Sequence, residues 1–240
     1  MEAASPVVDV KQRVIIALDV DAAEAAREIV AELAGEVGAF KIGLQLYAAC
    51  GPDLVRELTS AGHKIFLDLK FHDIPNTVAK ASAEAAKLGV WMFNVHASGG
   101  SEMMRAARNA VNEIGGERPF VIGVTVLTSS TDDTLNEIGV TSAAEEQVVR
   151  LARLAAESGL DGVVASPLEV NSVRGLGLGT HFLTVTPGIR VLNATADDQK
   201  RVTTLGQAIA AGSSYVVIGR PVTAATDRLA ALKDMIATAN

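Results

Sequence analysis

Lys64–Thr77 reads KIFLDLKFHDIPNT. It opens as an apolar run, Ile65-Phe66-Leu67, and then places Asp68, Lys70 and Asp73 within six positions. A β-strand alternates its faces with period two, so Asp68 and Lys70 point one way while Leu67 and Leu69 point the other. Pro75 ends the strand region and suits the first turn of a helix. Two opposite charges therefore share one face at the carboxyl end of a buried strand. Buried charge is costly unless it is paired or used. Two readings stand at this point: a structural ion pair that plugs a core, or a catalytic lysine held between carboxylates.

The same rhythm of apolar run followed by helical segment extends in both directions. Upstream lie the runs Val14–Val20 and Phe40–Gly43; downstream lie Val90–His96, Phe120–Leu127, Gly162–Ala165, Phe182–Thr186 and Tyr215–Ile218. Helical periodicity covers Ala22–Leu33, Pro52–Ala61, Thr77–Leu88, Ser101–Ile114, Ser142–Ser158, Thr204–Ala211 and Val222–Ala237, with a short helix after Pro167. Thr141 or Ser142 is the expected N-cap of the long helix, and 128–140 reads as a polar connection. Continuous apolar runs are the mark of parallel strands covered on the outside. Eight strand–helix units predict an α/β fold, a (β/α)8 TIM barrel spanning residues 1–240 as one domain, with 1–12 as a loosely ordered N-terminal arm. A doubly wound open sheet is the alternative.

Composition narrows the class. Apolar residues make up 49% and charged residues 20%, enough for a sizeable core. The net charge of −7 disfavours nucleic acid or an anionic membrane surface as partner. Cys50 is the single cysteine, which fits a reducing cytoplasm, and no apolar run approaches the ~20 residues that span a bilayer.

In such barrels the site lies at the carboxyl ends of the strands. Asp19, Lys41, Asp68, Lys70, Asn94, His96, Thr128, Ser166, Arg190 and Arg220 all sit at or just past expected strand ends. His63 and His181 precede strands and belong to the opposite face. Lys41, Asp68, Lys70 and Asp73 sum to zero charge, and neighbouring carboxylates keep both lysines protonated. Protonated lysine is an acid and an anchor, and a poor Schiff-base nucleophile. TVTPGIR at Thr184–Arg190 and VVIGRP at Val216–Pro221 place a glycine close to an arginine after the last two strands, where such barrels bind phosphate. Asp19 stands alone after the first strand, as a sugar-hydroxyl acceptor or a helix cap. His72 and His96 lack the spacing and carboxylates of a metal site, and Lys41 and Lys70 repel a cation, so no metal is expected.

These pieces, taken in order, resemble the orotidine 5′-phosphate decarboxylase family. The matching stretches are IALDV (Ile16–Val20), FKIGLQLY (Phe40–Tyr47), FLDLKFHDIPNTV (Phe66–Val78), NVHASGG (Asn94–Gly100), VTVLTS (Val124–Ser129), TPGIR (Thr186–Arg190), DDQKR (Asp197–Arg201) and VIGRPVT (Val217–Thr223). The resemblance implies decarboxylation of orotidine 5′-phosphate to uridine 5′-phosphate in pyrimidine biosynthesis, without cofactor or metal. It implies Lys70 as proton donor, with Lys41, Asp68 and Asp73 completing its charged array. Asp19, Lys41 and Thr77 are then expected at the ribose, and Thr128 near the pyrimidine. Arg190, Gln199, Gly219 and Arg220 are expected at the closing loop and phosphate. It further implies a homodimer in which Asp73 and Thr77 reach the partner's site. Val191 and Asn193 depart from the proline and glycine that relatives often carry in the loop.

The chemistry agrees with the residues. Loss of CO2 from C6 leaves a carbanion in the ring plane with no electron sink, and no cofactor motif supplies one. Charge fixed in place beforehand must stabilise it. Two rival readings remain open. A sugar-phosphate decarboxylase or aldolase of the same barrel group is expected to bind magnesium through a carboxylate after strand two, where this chain has Lys41. A non-catalytic nucleotide-phosphate binding barrel has no need of Lys70.

Overall fold

The apolar runs form eight strands: β1 (Val14–Ala17), β2 (Ala39–Gly43), β3 (Ile65–Phe71), β4 (Met92–His96), β5 (Phe120–Val124), β6 (Gly162–Val164), β7 (Leu183–Thr186) and β8 (Tyr215–Ile218). In the computed structural model, which describes residues 9–189 and 203–239, all neighbouring strands are parallel and β8 returns to β1, closing the barrel. Helices lie between successive strands, so the architecture is the expected (β/α)8 barrel and the open sheet is excluded.

Period two decides what each strand shows to the inside. One cluster of side chains, Ile15, Ala17, Ala39, Phe66, Met92, Ile122, Val185 and Val217, fills the interior. The alternate positions, among them Ile16, Phe40, Leu67, Phe93 and Val163, pack outward under the helices. Burying a side chain such as Phe66 or Met92 stabilises the fold by about 1.5–3 kcal/mol. Trp91 seals the amino-terminal end, edge-on to Phe120 at 5.8 Å and to Tyr215 at 4.9 Å between centroids. His63, before β3, packs edge-on against Phe40 on that side. Two residues further up the inward rows, the character changes. After Ala17, Ala39, Phe66 and Met92 come Asp19, Lys41, Asp68 and Asn94. The same alternation that fills the core thus sets polar groups at the carboxyl-terminal mouth.

Three elements differ from expectation. A helix starts at Leu44, not Pro52, and runs to Ser60 across a break at Gly51, whose φ of 67° interrupts it before Pro52. The connection after β5 holds a short helix, Asp132–Glu137, capped by Thr131. Its Asp132 carboxylate accepts from Ala144 N at 2.8 Å. The next helix, Ala144–Glu157, therefore has Ala143 at its N-cap and uses neither Thr141 nor Ser142; a long-range acceptor replaces the local one. The final helix is two, Arg220–Thr223 and Arg228–Ala237, because Asp227 restarts it by accepting from Ala230 N.

Candidate active site

The mouth of the barrel holds a cavity of about 520 Å³. Its walls are unlike each other. On the β1–β3 side stand Asp19, Lys41, Asp68 and Lys70; on the β5–β8 side the inward residues are Val124, Val164, Val185 and Val217. Thr128, Gly188, Gly219 and Arg220 form the outer edge.

The charged wall is one continuous chain. Lys41 Nζ donates to Asp19 Oδ1 at 2.9 Å and lies 3.4 Å from Asp68 Oδ2. Lys70 Nζ donates to the other Asp68 oxygen, Oδ1, at 2.7 Å. Formal charges alternate −, +, −, + from Asp19 to Lys70 and cancel. Desolvation by itself lowers the pKa of the Lys41 ammonium; the charges of Asp68 and Asp19 and their hydrogen bonds outweigh it and leave the pKa above the ordinary lysine value. Burial likewise works to raise the Asp68 carboxyl, and Lys41, Lys70 and the bond from Asn94 together hold it below the ordinary range. Both groups are therefore ionised at neutral pH. Gly43 leaves room for this pairing, since a Cβ there would stand 3.0 Å from Lys41 Nζ.

Lys70 reaches its position by an irregularity that simple alternation does not contain. Leu67 pairs with Phe93 and Phe71 with Val95, so four steps along β3 match two along β4. Within this bulge Lys70 has φ of 52°, the one positive φ among described non-glycine residues. Left-handed backbone costs an L-residue about 1–2 kcal/mol. Bulges next to active sites re-aim a side chain, and here the re-aimed group is the ammonium.

The remaining expected residues divide. Thr128, Gly219 and Arg220 line the cavity with the charged wall. Gly188, φ 86°, sits at its edge in a conformation that favours glycine. Asp73 and Thr77 do not line it. Both are exposed on the rim, and Asp73 Oδ1 accepts from Ile74 N at 2.6 Å. Within this chain the fourth charge touching the array is Asp19, paired to Lys41, so Asp19 is not alone. Pairing of β1 with β2 brings Asp19 against Lys41, a side-chain contact that local spacing does not reveal. Arg190 and Gln199, and the loop positions Val191 and Asn193, lie outside the described residues. Ser166 serves a structural end: it caps the turn at Pro167, accepting from Leu168 N, while Glu169 reciprocates on Ser166 N.

Gln45, Val126 and Leu127 line the cavity and escaped the sequence reading. Gln45 carried a signal, two residues beyond the end of β2 in the stretch FKIGLQLY. His72 and His96 pack with their rings tilted by 41° and centroids 5.4 Å apart, and burial, His72 and Lys70 lower the pKa of His96 against the pull of Asp68. Among the described residues no three His, Cys, Asp or Glu side chains converge as a metal site would require, and no helix is long and apolar enough to cross a membrane.

Comparison with known proteins follows the same lines. Residues 12–235 match the model of the orotidine 5′-phosphate decarboxylase / HUMPS family. An orotidine 5′-phosphate decarboxylase of Syntrophotalea carbinolica is 52% identical over 233 residues, covering 95% of both chains. One of Idiomarina loihiensis is 52% identical over 225 residues, covering 93% of this chain and 96% of its own. The crystal structure of orotidine 5′-phosphate decarboxylase from Lactobacillus acidophilus superposes with a TM-score of 0.83 at 41% identity, covering 95% of this chain and 98% of that one.

Proposed function

The chain belongs to the orotidine 5′-phosphate decarboxylase / HUMPS family, and from that premise we infer how its site works. The reaction is decarboxylation of orotidine 5′-phosphate to uridine 5′-phosphate and CO2, a carboxy-lyase step of pyrimidine biosynthesis. The observation that carries the mechanism is the unlike pair of walls around the cavity. A flat pyrimidine presents apolar faces and one reacting edge. The valine side accepts the ring, and C6 with its carboxylate turns to Asp68 and Lys70.

The C6–CO2 bond breaks with both electrons left on C6. Lys70, held 2.7 Å from Asp68, is the cation placed to stabilise that pair of electrons and then to donate its proton to C6. Asp68 stands where the substrate carboxylate must approach, so departure of CO2 relieves a repulsion between like charges. Lys41 is fixed between Asp68 and Asp19 and fastens the array in place before substrate arrives. Asp19 and Lys41 take the ribose hydroxyls, Thr128 lies at the pyrimidine, and Gly219 and Arg220 hold the phosphate with Arg190 and Gln199. Phosphate lies far from C6, and its binding energy serves to assemble the site. The end of β2 that the sugar-phosphate reading needs for a carboxylate is taken by Lys41, already paired.

The assembly is a two-fold homodimer in which Asp73 and Thr77 enter the partner's site, and the enzyme works in the cytoplasm. Support for the dimer comes from the rim. Asp73, Ile74 and Thr77 are exposed together, and the apolar Ile74 is 66% exposed and Leu44 59%. A two-fold axis sets such a segment against its own copy.

The test is direct. Chelator-treated protein is mixed with orotidine 5′-phosphate and the ultraviolet absorbance followed. Conversion to uridine 5′-phosphate, indifferent to chelation, is expected. No conversion overturns the assignment, and conversion only on adding magnesium favours the sugar-phosphate reading.

A further inference from the structure

We propose that Asn94 is a positioning residue of the decarboxylation, holding Lys70 and Asp68 in register with one side-chain amide. This rests on the functional reading above. Asn94 lies on the inward row of β4, one step of two above Met92, and is 1% exposed. It does not line the cavity, so it makes no contact with substrate there. Its Nδ2 donates to Asp68 Oδ1 at 2.7 Å, and its Oδ1 accepts from Lys70 N at 2.8 Å.

The two partners fix the amide's orientation. An ionised carboxylate only accepts and a backbone N–H only donates, so the amide can sit one way round. They also make it hard to replace. The residue must give a hydrogen bond to one neighbour and take one from the other, in a space closed to water. A bulged residue falls out of the strand ladder, and Lys70 is bulged with φ of 52°. Asn94 supplies the acceptor that the Lys70 N–H takes, and so sustains the backbone conformation that aims the ammonium. Through its other end it holds the same carboxylate oxygen that receives Lys70 Nζ at 2.7 Å. Backbone and head group of the proton donor are thus tied to one side chain on the neighbouring strand.

Asn94→Asp is the informative variant, since it keeps shape and acceptor and loses the donor. Around position 94 the charged or titratable groups are Asp68 and Lys70 on β3, Lys41 on β2, and His96 on β4 with the His72 ring packed at a tilt against it; β5 presents Ile122 and Val124. Near neutral pH a second carboxylate meets Asp68 and the array splays. A displacement near 1 Å costs about 100-fold, so kcat should fall by about that factor while KM stays within about threefold. On acidification one proton shared by the two carboxylates restores the missing hydrogen bond. The kcat of the variant relative to the parent should then rise by up to about tenfold per pH unit, the slope of one protonation. A folded variant with parent-like kcat, a loss confined to KM, or a kcat ratio unchanged with pH each overturns the proposal. Should Asn94→Asp not fold, Asn94→Ser is read the same way at one pH: kcat down with KM steady supports the proposal, and parent-like kcat or a loss in KM overturns it. In the parent the Lys70 amide should exchange slowly with solvent deuterium, and fast exchange overturns the proposal without any substitution. The parent is assayed alongside. A parent that does not decarboxylate sinks the functional reading, whereas an active parent with an indifferent position 94 sinks only this inference.

Discussion

Replacing Lys70 by alanine and, separately, by glycine separates its chemistry from its backbone. Both substitutions remove Nζ and its bond to Asp68, and both keep the backbone N–H that Asn94 accepts. Asp68 keeps Lys41 at 3.4 Å and Asn94 at 2.7 Å, so both variants should fold. General acid catalysis contributes about 10²–10⁴-fold and a well-placed electrostatic contact about 10²–10³-fold, so each variant should lose at least about 10⁴-fold in turnover. Stability separates the two. Position 70 has φ of 52°, which costs alanine about 1–2 kcal/mol and glycine nothing. Glycine's greater freedom in the unfolded chain costs it about 0.5–1 kcal/mol. The difference leaves Lys70→Gly more stable than Lys70→Ala by about 0.5–1 kcal/mol, the reverse of the order in a regular strand. Unfolding entropy of about 2.1 cal/mol/K per residue over 240 residues converts this to a gap of about 1–2 °C in Tm. Replicate thermal melts and urea titrations at one protein concentration resolve such a gap, and ultraviolet absorbance reads turnover. Alanine equal to or more stable than glycine refutes the left-handed backbone at Lys70. Turnover above about 1% of the parent refutes Lys70 as the acid.

Arg220→Ala should weaken productive binding by about 1.5–3 kcal/mol, the worth of a charged hydrogen bond, and added free guanidinium should recover part of it; a parent-like KM removes Arg220 from the phosphate site. Inactive Lys70→Ala and Asp73→Asn chains, allowed to exchange subunits, should regain activity up to one working site per mixed dimer, because one site then combines an intact Lys70 with an intact Asp73. If native mass spectrometry shows exchange and the mixture stays inactive, Asp73 acts within its own chain. Stability should decline on acidification in two stages. His96 has a folded pKa below its ordinary 6.5, so the unfolded chain takes the proton first and stability begins to fall as pH drops through 6.5. Asp68 is held below its ordinary 3.8, so its contribution is present above that value and is lost as pH falls through the folded pKa. His96→Gln should flatten the upper limb in urea unfolding between pH 7.5 and 5, and an unchanged slope removes His96 as its source.

Much of this molecule is decided locally. Eight apolar runs separated by helical periodicity specify the barrel, because parallel strands buried on both faces need apolar residues throughout and covered crossovers between them. Period two alone sends Asp19, Lys41, Asp68 and Asn94 inward above Ala17, Ala39, Phe66 and Met92, so the end of the barrel that carries the chemistry was legible in the chain. The tight order of KFHDIPNT among the other stretches carried the family. Side-chain contacts across paired strands were not legible. That Asp19 pairs with Lys41 depends on β1 lying against β2, and that Asp73 stands outside its own chain's cavity depends on the turn after β3. The left-handed Lys70 is hidden for the same reason. Regular alternation also places Lys70 beside Asp68, and only β4, through Asn94, provides the acceptor that makes the bulged conformation the favoured one. A strand's faces follow from its own covalent geometry, whereas the position of a charge along its face is set by partners that arrive only when neighbouring strands pair.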